Sequence, residues 1–222
     1  MTRKFSRLTK AAMVFAVAGA LSLSACSSSD DGSSGSNGSG GSSADTVSMA
    51  FRTPNWILPI SAPGFTQGEN AIFGTALYRP LYNYDLTSDA EYAIFDAKSL
   101  GNTPEFSDDG LTMTITLKDA TWSDGEAITT RDVEFWWNLV NANKDKWASY
   151  REGSFPDNIS EFTVVDEKTF SFTTTQEYSP SWFVGNQLNK VSIMPQHVWD
   201  RTSLDGEVGD YDRDPAGAIE IF

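Results

Sequence analysis

Leu111, Met113, Ile115 and Leu117 alternate with Thr112, Thr114, Thr116 and Lys118, and no other stretch constrains the fold as strongly. Period-two patterning with β-branched residues between the apolar positions predicts a strand with one face in a core. A second short strand is expected around Thr121 and Trp122, running into Asp124-Gly125, where glycine tolerates the positive φ of a tight turn. Thr129 and Thr130 then offer N-cap oxygens, and Asp132 and Glu134 complement the positive end of a helix dipole. Val133, Trp136, Trp137 and Val140 fall at i, i+3, i+4 and i+7, which predicts an amphipathic helix from about Arg131 to Asn143 with the Trp pair in the core.

The flanking sequence is read the same way. Val47, Met49 and Phe51 alternate in a predicted opening strand over 46–51, and Pro54 and Pro59 keep the following Asn55-Trp56-Ile57-Leu58 on a loop. Ala71, Phe73, Gly74 and Leu77 suggest a helix that Pro80 stops. Strands are expected at 162–165 and 169–173 around the turn Asp166-Glu167-Lys168, with Phe170 and Phe172 on one face. A short helix is expected from Ser179, then an extended apolar run over 191–194 and a helical turn holding His197. Asp210, Asp212 and Asp214 alternate as in a calcium loop, but Pro215 and Ile221 occupy the places of its Gly and Glu. Asp214 reads instead as an N-cap with Pro215 first in the helix, whose apolar Ile219, Ile221 and Phe222 have no evident partner.

Composition then removes several kinds of chemistry. With 16 Lys and Arg against 30 Asp and Glu, the net charge of −14 is the wrong sign for neutralising phosphates, so nucleic acid is not a partner. One Cys and one His cannot build a disulfide, a thiolate metal cage or a His-rich zinc site, and the expectation is no metal and no cofactor. No Gly-x-Ser-x-Gly elbow and no phosphate-cradling glycine loop is present, and nothing activates a nucleophile, so the chain reads as a binder rather than an enzyme.

The amino terminus carries an address. Arg3, Lys4, Arg7 and Lys10 precede an apolar run from Ala11 to Leu23, thirteen residues long and too short to span about 30 Å of hydrocarbon as a helix. It ends in Leu23-Ser24-Ala25-Cys26, which resembles the lipobox of bacterial lipoproteins. Residues 1–25 are therefore expected to be a removable signal and Cys26 to carry the lipid that holds the protein on the outer face of the cell membrane. Removal of four basic residues takes the charge to 12 − 30 = −18. Residues 27–43 contain nine Ser and five Gly, a composition that cannot bury apolar area and makes 26–44 a tether for a head over 45–222.

Asp109-Gly110-Leu111, Leu117-Lys118-Asp119, Trp122, Asp124-Gly125 and Asp132-Val133 together resemble the signature of the family 5 extracellular solute-binding proteins, the peptide receptors of ABC importers. Thr130 stands where that signature has Ala. Tyr78-Arg79-Pro80-Leu81-Tyr82 and Ile193-Met194-Pro195-Gln196-His197 are similar to the same family. The resemblance implies an α/β, periplasmic-binding-protein-like type II fold of two lobes, with a mixed sheet and an inserted subdomain. It is expected to be incomplete here, with the second lobe missing, so that this chain cannot enclose a solute and is unable to bind one alone. It also implies a peptide or peptide-sized solute, ABC permease and ATPase subunits as partners, and ligand contact at Asn55, Trp56 and Ile57. The alternatives from composition and the anchor are a carboxylate-dependent surface hydrolase and an adhesin.

Overall fold

The computed structural model describes residues 50, 52–87, 89 and 91–222. The signal, Cys26 and the tether lie outside the described residues, as does the expected opening strand apart from Ala50. The described chain runs through α1 (Gly68–Leu77), β1 (Glu105–Phe106), β2 (Thr112–Thr116), α2 (Thr130–Ala142), β3 (Ile159–Val164), β4 (Thr169–Thr174), α3 (Pro180–Asn186), α4 (Gln196–Trp199) and α5 (Pro215–Ile221). None of these helices is long and apolar enough to cross a membrane.

The four strands form one sheet in the order β1-β2-β4-β3, and every pairing is antiparallel. Because α2 carries the chain across after β2, β3 runs in the same direction as β2, and β4 enters between them by a hairpin. The parallel pairings that a mixed sheet would add are thus not present among the described residues. β2 follows its pattern: Met113, Ile115 and Leu117 are buried, and Met113 and Ile115 face Phe172 and Phe170 of β4 across the ladder. The expected strand at Thr121 and Trp122 is only a bridge from Thr121 to Ala127, because the turn through Gly125 (φ +97°) folds the chain back within five residues.

α2 packs on the sheet through aromatic contacts. Trp137 stacks on Phe162 at 5.7 Å and lies 5.4 Å from Phe172, while Trp136 is fully buried against Phe155 and Trp147. Such pairs add about 0.5–1.5 kcal/mol each beyond the burial of their area. The buried surface of α2 is wider than the predicted stripe: Phe135 and Leu139 are buried too, because α4 and α5 pack against the same helix. That packing supplies the partner that the sequence of α5 did not reveal. Ala218 is buried, Asn143 Nδ2 donates to its carbonyl at 2.9 Å, and Ile221 and Phe222 lie on the core while Ile219 stays exposed.

The cap at the start of α2 is a reciprocal box between Thr129 and Asp132. Thr130, the other candidate cap, donates its hydroxyl to the Asp166 carbonyl at 2.7 Å and so ties the helix to the β3–β4 turn. α1 departs from the expected apolar face. Its buried residue is Asn70, while Ile72 and Leu77 are exposed, so polar contacts rather than an apolar stripe fix this helix.

Candidate functional site

The loop over 55–67 is held by its own polar groups. Asn70 Oδ1 accepts the Asn55 N–H at 3.0 Å, and Asn70 Nδ2 donates to Asn55 Oδ1, the Phe65 carbonyl and Gln67 Oε1, each at 2.9 Å. Trp56 donates its indole N–H to the Ile60 carbonyl at 2.9 Å and stacks on Phe65 with ring centres 4.8 Å apart. Opposite this loop, the segment after α1 is clamped in place: the Leu81 N–H donates to the Val191 carbonyl, and the Leu81 carbonyl accepts from Leu100 and Gly101. Between the loop, α1 and this segment lies an open cleft of about 690 Å³.

Its lining has two kinds of surface. Trp56, Phe65, Tyr78, Tyr82 and Tyr84 present rings, and Ser61, Thr66, Gln67, Asn70, Thr75, Asn83, Ser149, Asn189 and Ser192 present uncharged hydroxyls and amides, with Leu58, Pro59, Ala71, Gly74 and Pro80 completing the wall. Burial pushes the Tyr78 phenol above its ordinary value, against a hydrogen bond with Trp199, and pushes the fully buried Tyr82 phenol further up. Both therefore stay neutral at physiological pH. Tyr82 spends its proton on the Asn102 carbonyl at 2.7 Å. A surface of this kind can stack on flat groups and exchange hydrogen bonds with amides and hydroxyls, and it offers no nucleophile with an adjacent base.

Of the three residues expected to touch a ligand, Trp56 lines the cleft. Asn55 braces the loop through Asn70 instead, and Ile57 is exposed outside the lining. The remaining cleft residues come from segments separated by up to 134 positions in sequence (192 − 58), with no shared motif to announce them.

Three of the signature residues, Trp122, Asp124 and Asp132, gather elsewhere, in a clasp between the start of α2 and the start of α4. Asp132 accepts from the Thr129 N–H at 2.9 Å, the Gln196 N–H at 3.0 Å and, more weakly, the Trp122 indole at 3.4 Å. Burial raises its carboxyl above the ordinary value despite these bonds. His197 Nε2 meets Asp124 Oδ2 at 2.8 Å, and that contact, with the Glu126 N–H, holds the Asp124 carboxyl low. Asp109 accepts from Ser107 Oγ and the Leu111 N–H around Gly110 (φ +69°), shaping the turn into β2. Gly125 shapes the turn before α2, and Leu117 and Val133 are core. All eight signature positions serve the fold.

A third polar group surrounds Arg131 in the first turn of α2. Its guanidinium donates to both oxygens of Asp212, to Asp210 at 2.9 Å, to Asp200 at 3.2 Å and to Glu134 at 3.3 Å. Burial works against ionisation of Asp212, but Arg131 and Asn138 outweigh it and hold the carboxyl low. Burial dominates at Asp200, whose carboxyl is pushed up to about 6. Asp200, Asp210 and Asp212 are the one set among the described residues whose carboxylate oxygens come close enough to share a metal ion. Arg131 already supplies the positive charge there. The sequence signal was available: a cation at a helix N-terminus opposes the dipole and needs acids around it.

The sequence model described as "Bacterial extracellular solute-binding proteins, family 5 Middle" matches residues 97–218, more than half of the chain. No curated protein matches. Among solved structures the chain is similar to the oligopeptide-binding protein AppA of Bacillus subtilis in complex with a nonapeptide, at 18% identity and a TM-score of 0.51, over 67% of this chain and 27% of that one. It is also similar to the ABC transporter substrate binding protein CtaP of Listeria monocytogenes, at 22% identity and a TM-score of 0.51, over 74% of this chain and 30% of that one. The chain thus spans less than a third of either structure, and the likeness is one of fold.

Proposed function

The chain belongs to the family 5 bacterial extracellular solute-binding proteins, and from that premise we propose that it is the lipid-anchored receptor component of an ABC importer for peptides or peptide-sized solutes. The observation that carries the reading is the cleft, where rings and uncharged amides and hydroxyls converge on one open wall of about 690 Å³. A receptor for varied peptides needs such a surface, because peptide bonds are satisfied by neutral donors and acceptors and by water. Cys26, in its lipobox-like setting, holds the head on the extracytoplasmic face, and the partners are a membrane permease and its ATPase. The role is binding and delivery, with no bond made or broken in the solute.

The sequence alone points to a fragment unable to bind by itself, but the cleft is one open wall that buries part of a ligand, so the full chain is expected to bind short peptides weakly, with a dissociation constant in the millimolar range, equivalent to about −4 kcal/mol. Titration calorimetry and NMR with a defined tripeptide set test this. Saturable shifts at Trp56 and Tyr84 support the reading, and their absence with every peptide overturns it. For the anchor, fatty-acid labelling and fractionation of cells carrying Cys26→Ser are expected to show loss of label and release from the membrane; a variant still labelled refutes lipidation at Cys26.

A further inference from the structure

Charged residues make up 21% of the chain, so about four would be expected among nineteen cleft-lining residues, and the lining contains none. The charged residues next to lining positions are engaged elsewhere: Asp85, beside Tyr84, accepts from the Thr87 N–H at 2.9 Å and the Thr87 hydroxyl at 2.7 Å. Arg79, between two lining residues, is turned onto the Ala97 and Ser99 carbonyls at 2.7 and 3.1 Å. Lys190, beside Asn189, donates to Gln187 Oε1 at 3.3 Å, and Glu69, beside Asn70, faces Arg52 at 3.8 Å. The side chains of Asn83, Asn189 and Ser192, in contrast, have no hydrogen-bond partner among the described residues, and all three residues line the cleft.

A charged group brought against this wall would lose hydration and meet no counter-charge, a penalty that only a paired ion escapes. A peptide bond would lose water and regain hydrogen bonds from the free amides and hydroxyls. We infer that the stretch of solute seated on this wall carries no formal charge: peptide bonds flanked by neutral side chains, rather than a chain terminus or an acidic or basic side chain. The inference rests on the peptide reading of the same site and adds selectivity to it.

The test uses the full chain in mild detergent, isotope-labelled for NMR, and three acetylated and amidated tripeptides that differ only in a central Ala, Lys or Glu. The Ala peptide is expected to shift the Asn83 and Asn189 side-chain amide signals and to bind at least fivefold more tightly than either charged peptide. Equal or tighter binding of the Lys or Glu peptide overturns the inference while leaving the peptide reading intact. No shift with any of the three overturns the peptide reading and takes the inference with it. Asn83→Asp is expected to reverse the order, favouring the Lys peptide over the Glu peptide at least fivefold. Asn189→Asp, at an exposed position, repeats the measurement should the first variant fold poorly, and an unchanged order in a folded variant places the solute elsewhere.

Discussion

Replacing Asp132 by Ala removes one carboxylate and leaves three donors without it: the Thr129 and Gln196 N–H groups, bonded at 2.9 and 3.0 Å, and the Trp122 indole at 3.4 Å. Hydrogen bonds to a charged acceptor contribute about 1.5–3 kcal/mol each, so the two short bonds together give about 4 kcal/mol. Relief of burying the carboxylate offsets part of this, since burial is the leading influence on its ionisation, and about 3 kcal/mol of net destabilisation remains. For a urea dependence of about 2 kcal/mol per M, the unfolding midpoint falls by about 1.5 M. Tryptophan fluorescence follows the transition, the chain holding seven Trp. Asp132→Asn keeps one acceptor atom and turns an amide towards the other donors, so it should cost about half as much. The pH dependence adds a second check. A carboxyl raised in the folded state contributes stability that is complete below its unfolded value and is lost as pH climbs through the folded value. The advantage of wild type over Asp132→Asn should therefore narrow as pH rises from the acidic end. A midpoint shift under about 0.3 M for Asp132→Ala would show that the clasp between α2 and α4 does not hold the fold, and that the signature Asp serves something else.

Four further outcomes follow from other contacts. Arg131→Met leaves Asp200 and Asp212 without their cation and should destabilise the protein by about 3–5 kcal/mol at pH 7, with a smaller loss near pH 4, where both can protonate; equal losses in denaturant titrations at the two pH values refute the network. His197→Ala removes the main influence holding the Asp124 carboxyl low, so its titration, followed by carboxyl-carbon NMR, should move up towards the ordinary range, and an unmoved titration contradicts the pairing. Gly74→Ala, inside α1 with open space where its Cβ would lie, should raise stability by about 0.5–1 kcal/mol in thermal unfolding. Gly217→Ala drives a methyl into the Tyr211 carbonyl and should lower stability by about 1–3 kcal/mol, and a neutral result there contradicts the packing of α5 on the turn before it.

Much of this architecture was legible in the chain because its signals are local. Alternation in 111–118 and the 3.6-residue spacing around Val133 each arise from one element meeting one apolar surface, so the strand, the capped α2 and β4 are found where the pattern put them, while β3 begins three residues earlier than expected, at Ile159. The pattern failed where a second surface intervened. Leu139 and Phe135 lie outside the predicted stripe and are buried because α4 and α5 pack on the same helix, and Ile221 lacked a partner until α2 supplied one. α1 misled in the opposite sense, since Ile72 and Leu77 face water and a buried Asn fixes it.

For the candidate site the division is sharper. The sequence by itself determined the family, and it carries the expectations of binding without catalysis and of an anchor at Cys26, because counts, motif spacing and an N-terminal apolar run are properties of the chain before it folds. Only the tertiary structure decided which residues share the cleft and which share the clasp. Asn83, Ser149 and Ser192 come together with Trp56 through backbone bonds such as Leu81 to Val191, and Asp132 reaches Gln196 across 64 positions. Contacts over such separations depend on how sheet and helices pack, and no local pattern of residues encodes them.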